Sequence, residues 1–372
     1  MAVDKTLANA YIWYSGATNV TGEKLAEALG MKHGRKKPVL SRTSLVLGWG
    51  AKTKESVSLT NTPVLNHPNK IRINRNKLGS LELMRKAKVN VAPFCTDMSP
   101  AVMKKAGVAL PVIGRTKYHQ GGKGFWNCPT MSHVTAAGQE GAAYFQNLIE
   151  IKDEYRLHIV GDACIYAVKK AKRTVEEMEA AYIKHEMERQ TALSEKNGDN
   201  LDKKTMEVFL KRQAKKFAQD GANMLIRSNR MGWKFVRVKT PDKKMVAEAI
   251  KSCKAIGLDF GAVDCCIDVS GKPWIIEVNT GPGLEETPFA AWVEALREMI
   301  TGILQPKSVG RKIAEKLTGK KATGAAPAVK AAAGGTKSKL ADKLALAQDM
   351  VAAADEEEAA VLDKVFGKMF GS

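Results

Sequence analysis

The sequence predicts a mixed architecture, α/β at the start and α+β after it, closed by a tail that builds no core. Three observations carry this. Short apolar runs alternate with polar turns through residues 1–93, further strand-like runs follow around one long charged helical stretch, and after Pro306 the composition shifts to Ala, Gly and Lys. With 372 residues, 44% of them hydrophobic, the chain has apolar surface for two or three domains.

In the opening part, residues 11–14 form an apolar run, 22–29 read as a helix, and 44–47 as a strand running into Gly48-Trp49-Gly50. Leu78, Leu81, Leu83 and Met84 lie at helical spacing within 77–87, and 89–93 reads as a strand ended by Pro93, so that 1–93 is expected to be one α/β unit. A small lobe over 94–149 then opens with a strand at 110–114, Arg115 and the loop Gln120-Gly121-Gly122-Lys123-Gly124, and holds a strand at 144–149. A larger part over 150–305 has strands expected at 155–160, 164–168 and 233–238, a helix at 243–255 and a β-hairpin over 262–278. Within it, 174–218 reads as a charged helical hairpin turning at Asn197-Gly198-Asp199-Asn200. Residues 306–339 read as a linker. Over 340–372, Leu340, Leu344, Met350 and Val351 recur at near-helical spacing, which leaves open both a docking helix for a protein partner and a partly disordered tail.

The formal net charge of +20 attracts polyanions, so acidic proteins, nucleotides and nucleic acid stay open as partners. No zinc finger, RNP-like run or basic zipper accompanies the charge, and a solvated basic surface is the plainer reading. The six cysteines show no paired CxxC spacing, which argues for reduced thiols and against a disulfide framework or a structural zinc. No apolar run approaches the roughly 20 residues of a membrane span, and residues 1–10 lack a signal-peptide core, so the cytoplasm is expected. The oligomeric state is not legible.

Chemistry concentrates in Gly261-Ala262-Val263-Asp264-Cys265-Cys266-Ile267-Asp268 and Trp274-Ile275-Ile276-Glu277-Val278-Asn279. If Ser270-Gly271 forms a two-residue turn, Val269 pairs with Lys272, Asp264 lies opposite Glu277, and alternation puts Asn279 on the face of Glu277. Two facing carboxylates repel, so something positive must sit between them. A hard divalent cation taken with nucleotide phosphates fits, and so does a pair of salt bridges to lysine or arginine; spacing alone leaves both open.

These segments, with Leu258-Asp259-Phe260-Gly261 before them and Thr280-Gly281-Pro282-Gly283-Leu284 after them, resemble the ATP-grasp carboxylate–amine ligases, including D-alanine–D-alanine ligase and the ribosomal-protein glutamate ligases. The resemblance runs from about residue 76 to 300. It implies a pre-ATP-grasp α/β domain followed by two α+β lobes with ATP between them, magnesium or alternatively manganese on Asp264, Glu277 and Asn279, and a backbone N–H from Gly283 to the reacting oxygen. By the same resemblance Lys77 and Arg115 meet the phosphates, Gly121, Gly122, Lys123 and Gly124 form the flap, and Asn147 and Glu154 take adenine and ribose. Lys169 and Arg227 close on the phosphates and the acyl group. The implied activity is acyl-phosphate chemistry joining a small-molecule or peptide carboxylate to an amine or thiol. The basic surface hints at an acidic amino acid or peptide. The rival is a nucleotide-binding structural or assembly protein using its basic surface.

Overall fold

The structure is a computed structural model that describes residues 7–305 apart from 17, 119–123, 198–201, 220, 222–224, 226 and 228–231. The expected linker and tail, four members of the glycine loop (Gln120, Gly121, Gly122 and Lys123) and most of the expected turn at 197–200 lie outside the described residues.

The first sheet is parallel, in the order β2-β1-β3-β4, from β1 (Ala10–Tyr14), β2 (Lys32–Gly34), β3 (Leu45–Trp49) and β4 (Val64–Leu65). Parallel strands are covered on both faces, and every residue of β3 is accordingly buried. Helix α1 (Asn19–Leu29) turns back from β1 and stops at Gly30, whose φ of 70° suits a residue without a Cβ. Helices α2 (Pro68–Arg75) and α3 (Lys77–Lys86) share Asn76, which ends the first and caps the second by accepting from the Gly79 N–H at 3.1 Å.

The second sheet is antiparallel in the order β5-β8-β6-β7: β5 (Phe94–Cys95), β6 (Val112–Arg115), β7 (Phe125–Cys128) and β8 (Tyr144–Asn147). Its helices are α4 (Pro100–Ala106) and α5 (Met131–Gln139). The strand expected at 89–93 is corrected: there only Val91 pairs, in a single bridge to Ile275, because Lys88 turns the chain at φ 57° and ladder pairing starts after the proline, at Phe94.

The third sheet, antiparallel throughout, runs β11-β10-β9-β12-β13, from β9 (Ile151–Val160), β10 (Ala163–Lys172), β11 (Trp233–Arg237), β12 (Phe260–Asp268) and β13 (Pro273–Asn279). Between β10 and β11 stand α6 (Val175–Asn197) and α7 (Lys203–Gln219), the charged hairpin, whose base closes on Met178, Ala218 and Trp233. Helix α8 (Lys243–Ile256) packs Met245, Ala249, Cys253 and Ile256 in one cluster with Leu157, Val263, Cys265, Ile275 and Val278. Helix α9 (Glu286–Leu304) brings Trp292, Leu296 and Ile300 against Phe260 and Trp49; the Trp49 and Trp292 rings meet edge-on at 5.0 Å.

A buried polar clip joins the first and third sheets. Asn66, just after β4, accepts from the Asp259 and Phe260 N–H groups at 2.7 and 3.2 Å and donates to the Phe260 carbonyl at 2.9 Å. Asp259 returns the contact by accepting from the Asn66 N–H at 2.6 Å.

Candidate nucleotide and metal site

Directly opposed residues share a face, so the pairings of the third sheet arrange its polar side chains in rows. Phe235, Lys170, Glu154 and Cys266 form one row; Arg237, Val168, Arg156, Asp264 and Glu277 form the next; His158, Ala262 and Asn279 follow. The opposite parity of the same strands supplies Leu157, Val263 and Cys265 to the α8 core.

The Asp264 and Glu277 pairing matches the expectation, by a different route. The hairpin tip is a three-residue turn, with Asp268 accepting from the Gly271 N–H at 3.0 Å and Gly271 at φ 86°. That turn alone would shift the register by one residue. A bulge restores it: Cys265 pairs with Ile275 but Asp264 pairs with Glu277, so Ile276 has no opposite number. Ile275 therefore faces the α8 core while Glu277 and Asn279 face the polar rows.

Both carboxylates are matched by cations, the salt-bridge alternative that the spacing left open. Arg156 grips Asp264 with both arms, Nε to Oδ1 at 2.7 Å and Nη2 to Oδ2 at 2.9 Å. Lys77, the first residue of α3, lies 3.1 Å from Glu277, whose other oxygen accepts from Asn279 Nδ2 at 3.1 Å. Lys170 pairs with Glu154 and stands 3.8 Å from Asp264. Arg227 lies 3.9 Å from Glu154, donates to the Ile151 carbonyl at 3.1 Å and stacks on Trp233 at 4.8 Å.

Burial pushes Asp264 up, but Arg156 and Lys170 outweigh it and hold the carboxyl below the usual carboxylate range. Burial likewise works against Glu277, and Lys77 overcomes it. Glu154 stays raised, because its desolvation exceeds what Lys170 returns. His158, under Trp292 Nε1–H at 2.7 Å, is driven down to about 4 by burial and by Arg156, so its ring is neutral.

Of the residues expected at a site, Lys77, Glu154, Arg227, Asp264, Glu277 and Asn279 come together. Arg115 stacks on Phe125 at 5.5 Å and bears on the same Tyr144 hydroxyl as Glu277; burial above all pushes that hydroxyl up to about 12. Gly124 sits at φ 58° where the loop re-enters the sheet, its carbonyl accepting from the Thr116 N–H at 3.3 Å. Gly283 is exposed, with open space where a Cβ would stand.

Two expectations change. Lys169 lies on the opposite parity, paired with Asp153 at 2.7 Å, and Lys170 is the lysine that faces the rows. Asn147 spends its amide on the backbone as a loop brace, accepting from the Ala109 N–H at 3.0 Å and donating to the Gly107 carbonyl at 3.1 Å. Arg156, Lys170 and His158 were not singled out from the sequence. For Arg156 and His158 the available signal was the alternation of Glu154, Arg156 and His158 with Tyr155, Leu157 and Ile159.

Among the described residues no group of three His, Cys, Asp or Glu side chains could hold a metal ion by itself. Two carboxylates and an amide oxygen are nonetheless the hard donors that magnesium takes when phosphates complete its shell. Four cations (Lys77, Arg156, Lys170 and Arg227) stand against three carboxylates (Asp264, Glu277 and Glu154), so this face suits a cation that arrives with a polyphosphate better than a bare one.

This architecture is the ATP-grasp fold. A solved ATP-grasp ligase, PsnB, complexed with minimal precursor, Mg and ADP, superposes with a TM-score of 0.50 at 12% identity, over 82% of this chain and 99% of that one. D-alanine–D-alanine ligase from Bacillus anthracis superposes with a TM-score of 0.50 at 11% identity, over 80% of this chain and 98% of that one. In sequence, D-alanine–D-alanine ligase of Methylococcus capsulatus is 34% identical over 70 residues, 17% of this chain and 23% of that protein. The chain thus matches about a quarter of the length of this curated relative. No family model matches the chain.

Proposed function

We propose that the chain is an ATP- and magnesium-dependent ligase that joins a carboxylate to an amine through an acyl phosphate. One observation carries this: within an ATP-grasp fold, Lys77, Arg156 and Lys170 converge with Asp264, Glu277 and Asn279 on one sheet face. In this reading residues 94–149 and 150–305 form two lobes that hold ATP between them.

Asp264, Glu277 and Asn279 would hold magnesium, which supplies charge neutralisation at the terminal phosphates. Lys77 and Arg115 balance the remaining phosphate charge. A carboxylate oxygen attacks the γ-phosphorus and ADP departs; the amine then attacks the acyl carbon and phosphate leaves. Gly283 offers its N–H to the oxygen that gains charge in that second step, and Arg227, held by Trp233 and the Ile151 carbonyl, faces the acyl phosphate. An acidic amino acid or peptide suits the net charge of +20, and the solved PsnB complexes contain a precursor peptide. Six unpaired cysteines, five of them buried, suit a reducing cytoplasm. Among the described residues no helix is long and apolar enough to cross a membrane.

Incubation with ATP, Mg2+, hydroxylamine and a panel of acidic amino acids and peptides tests this. The expected result is a hydroxamate formed in equal amount with ADP. AMP as the nucleotide product would exclude the acyl-phosphate route, and no nucleotide consumption with any carboxylate would favour an assembly role.

A further inference from the structure

The two carboxylates expected to hold magnesium are engaged by cations of the chain itself. Arg156 takes both oxygens of Asp264 at 2.7 and 2.9 Å, and Lys77 takes one oxygen of Glu277 at 3.1 Å. Magnesium must approach an oxygen to about 2.0–2.1 Å, and a guanidinium fork spread across both oxygens takes a lone pair of each and sets its positive charge beside any metal that approaches. The guanidinium is propped on the Phe235 ring at 5.4 Å, so its plane is held from β11 as well as by Asp264. A metal entering alone would meet a local surplus of positive charge. A polyphosphate offers Arg156 and Lys77 new anionic oxygens, and guanidinium pairs with phosphate in the same forked way as with carboxylate.

We propose that Arg156 and Lys77 act as placeholders for the divalent cation on Asp264 and Glu277, so that the metal is admitted only with a polyphosphate that draws both side chains away. Arg156 then turns from a metal-site guard into a phosphate ligand. This inference rests on the nucleotide-site reading above, and the experiment separates the two.

Mn2+ binding to the full chain is titrated by electron paramagnetic resonance, with and without a non-hydrolysable ATP analogue. Without nucleotide, Arg156→Met is expected to bind Mn2+ at least about ten-fold tighter than the wild type, because Asp264 is freed of its fork. Arg156→Lys keeps the positive charge and is expected to stay near the wild type, and adding Asp264→Asn to Arg156→Met should abolish the gain. Thermal melts establish that each variant is folded. Should Arg156→Met fail to fold, Lys77→Met frees Glu277, on the strand beside Asp264, of its ion pair and is expected to give a gain in the same direction. Equal nucleotide-free affinity in the wild type and the folded methionine variant overturns the placeholder role while the site reading stands. If the wild type retains no more Mn2+ with the analogue than the analogue retains alone, the site reading and the inference both fall.

Discussion

The two faces of the third sheet are cut from the same strands and obey opposite rules. Toward α8, Leu157, Val263, Cys265 and Ile275 are buried among carbon atoms, and their return is the apolar area removed from water. Toward the polar rows, the same strands present Arg156, Asp264 and Glu277, charges whose desolvation is offset only while each keeps its partner. One face answers to volume, the other to charge matching. A one-residue slip would exchange them, which is why the bulge at Ile276 matters as much as any single ligand.

The largest effect that would break this comparison is expected at Asp264. Asp264→Asn should lower ADP formation by about a thousand-fold or more, the scale seen when a key electrostatic group is removed. It should also destabilise the chain by about 2 kcal/mol in urea unfolding, less than a fully buried pair would cost because Arg156 is part-exposed. Two facing carboxylates in isolation suggest the opposite sign; the fork on Asp264 reverses it. Wild-type turnover in this variant would end the functional reading of the polar face.

On the other face, Leu157→Ala should cost about 3 kcal/mol by opening a cavity, yet leave nucleotide affinity within about two-fold where the chain is folded. Denaturant melts and a binding titration check the two halves. A comparable loss of affinity would mean that the faces are not independent.

His158 sharpens the boundary between the two regimes. Its folded value near 4 lies below the ordinary 6.5, so the unfolded chain binds a proton that the folded chain refuses. The stabilisation is complete above pH 6.5 and is lost as the pH falls toward 4, by roughly 3 kcal/mol at full extent. Melting temperatures across this window should fall less steeply in His158→Asn than in the wild type; parallel curves would show that the ring does not control the slope.

The smallest effect separates adjacent lysines. Lys169→Met should change nucleotide affinity by no more than about two-fold, as for a half-exposed pair with Asp153, whereas Lys170→Met should weaken it by about ten-fold. Equal effects in isothermal titration would contradict the parity assignment.

That pair also shows what the sequence made legible. The apolar runs located most strands of the third sheet, and Asp264 could be set opposite Glu277 by counting. Yet the count assumed a two-residue turn where three residues turn, and the bulge compensated. Adjacent lysines carry no local mark of which one faces inward; strand parity decides, and parity depends on partners far away in sequence. Asn147 is illegible for a related reason, because an amide at a hinge can serve backbone and ligand alike and the brace to Gly107 and Ala109 carries no sequence mark. Helices α4 and α5, of 7 and 9 residues, are too short for a helical period to stand out. Asp259, within the stretch that most resembles the ligases, is explained by the clip with Asn66 and needs no catalytic role.

That clip bears on portability. The ATP-grasp core looks like a module to be lifted out and joined to a new leading domain, but in this chain the start of its strand β12 is bonded by a side chain that directly follows the parallel sheet's β4. A fragment beginning after Asn66 would leave the Asp259 and Phe260 N–H groups and the Phe260 carbonyl without these bonds, and would strip the Trp49 ring from Phe260 and Trp292 as well. A transplant must therefore carry the asparagine with it, or supply another side chain that bonds the same backbone groups.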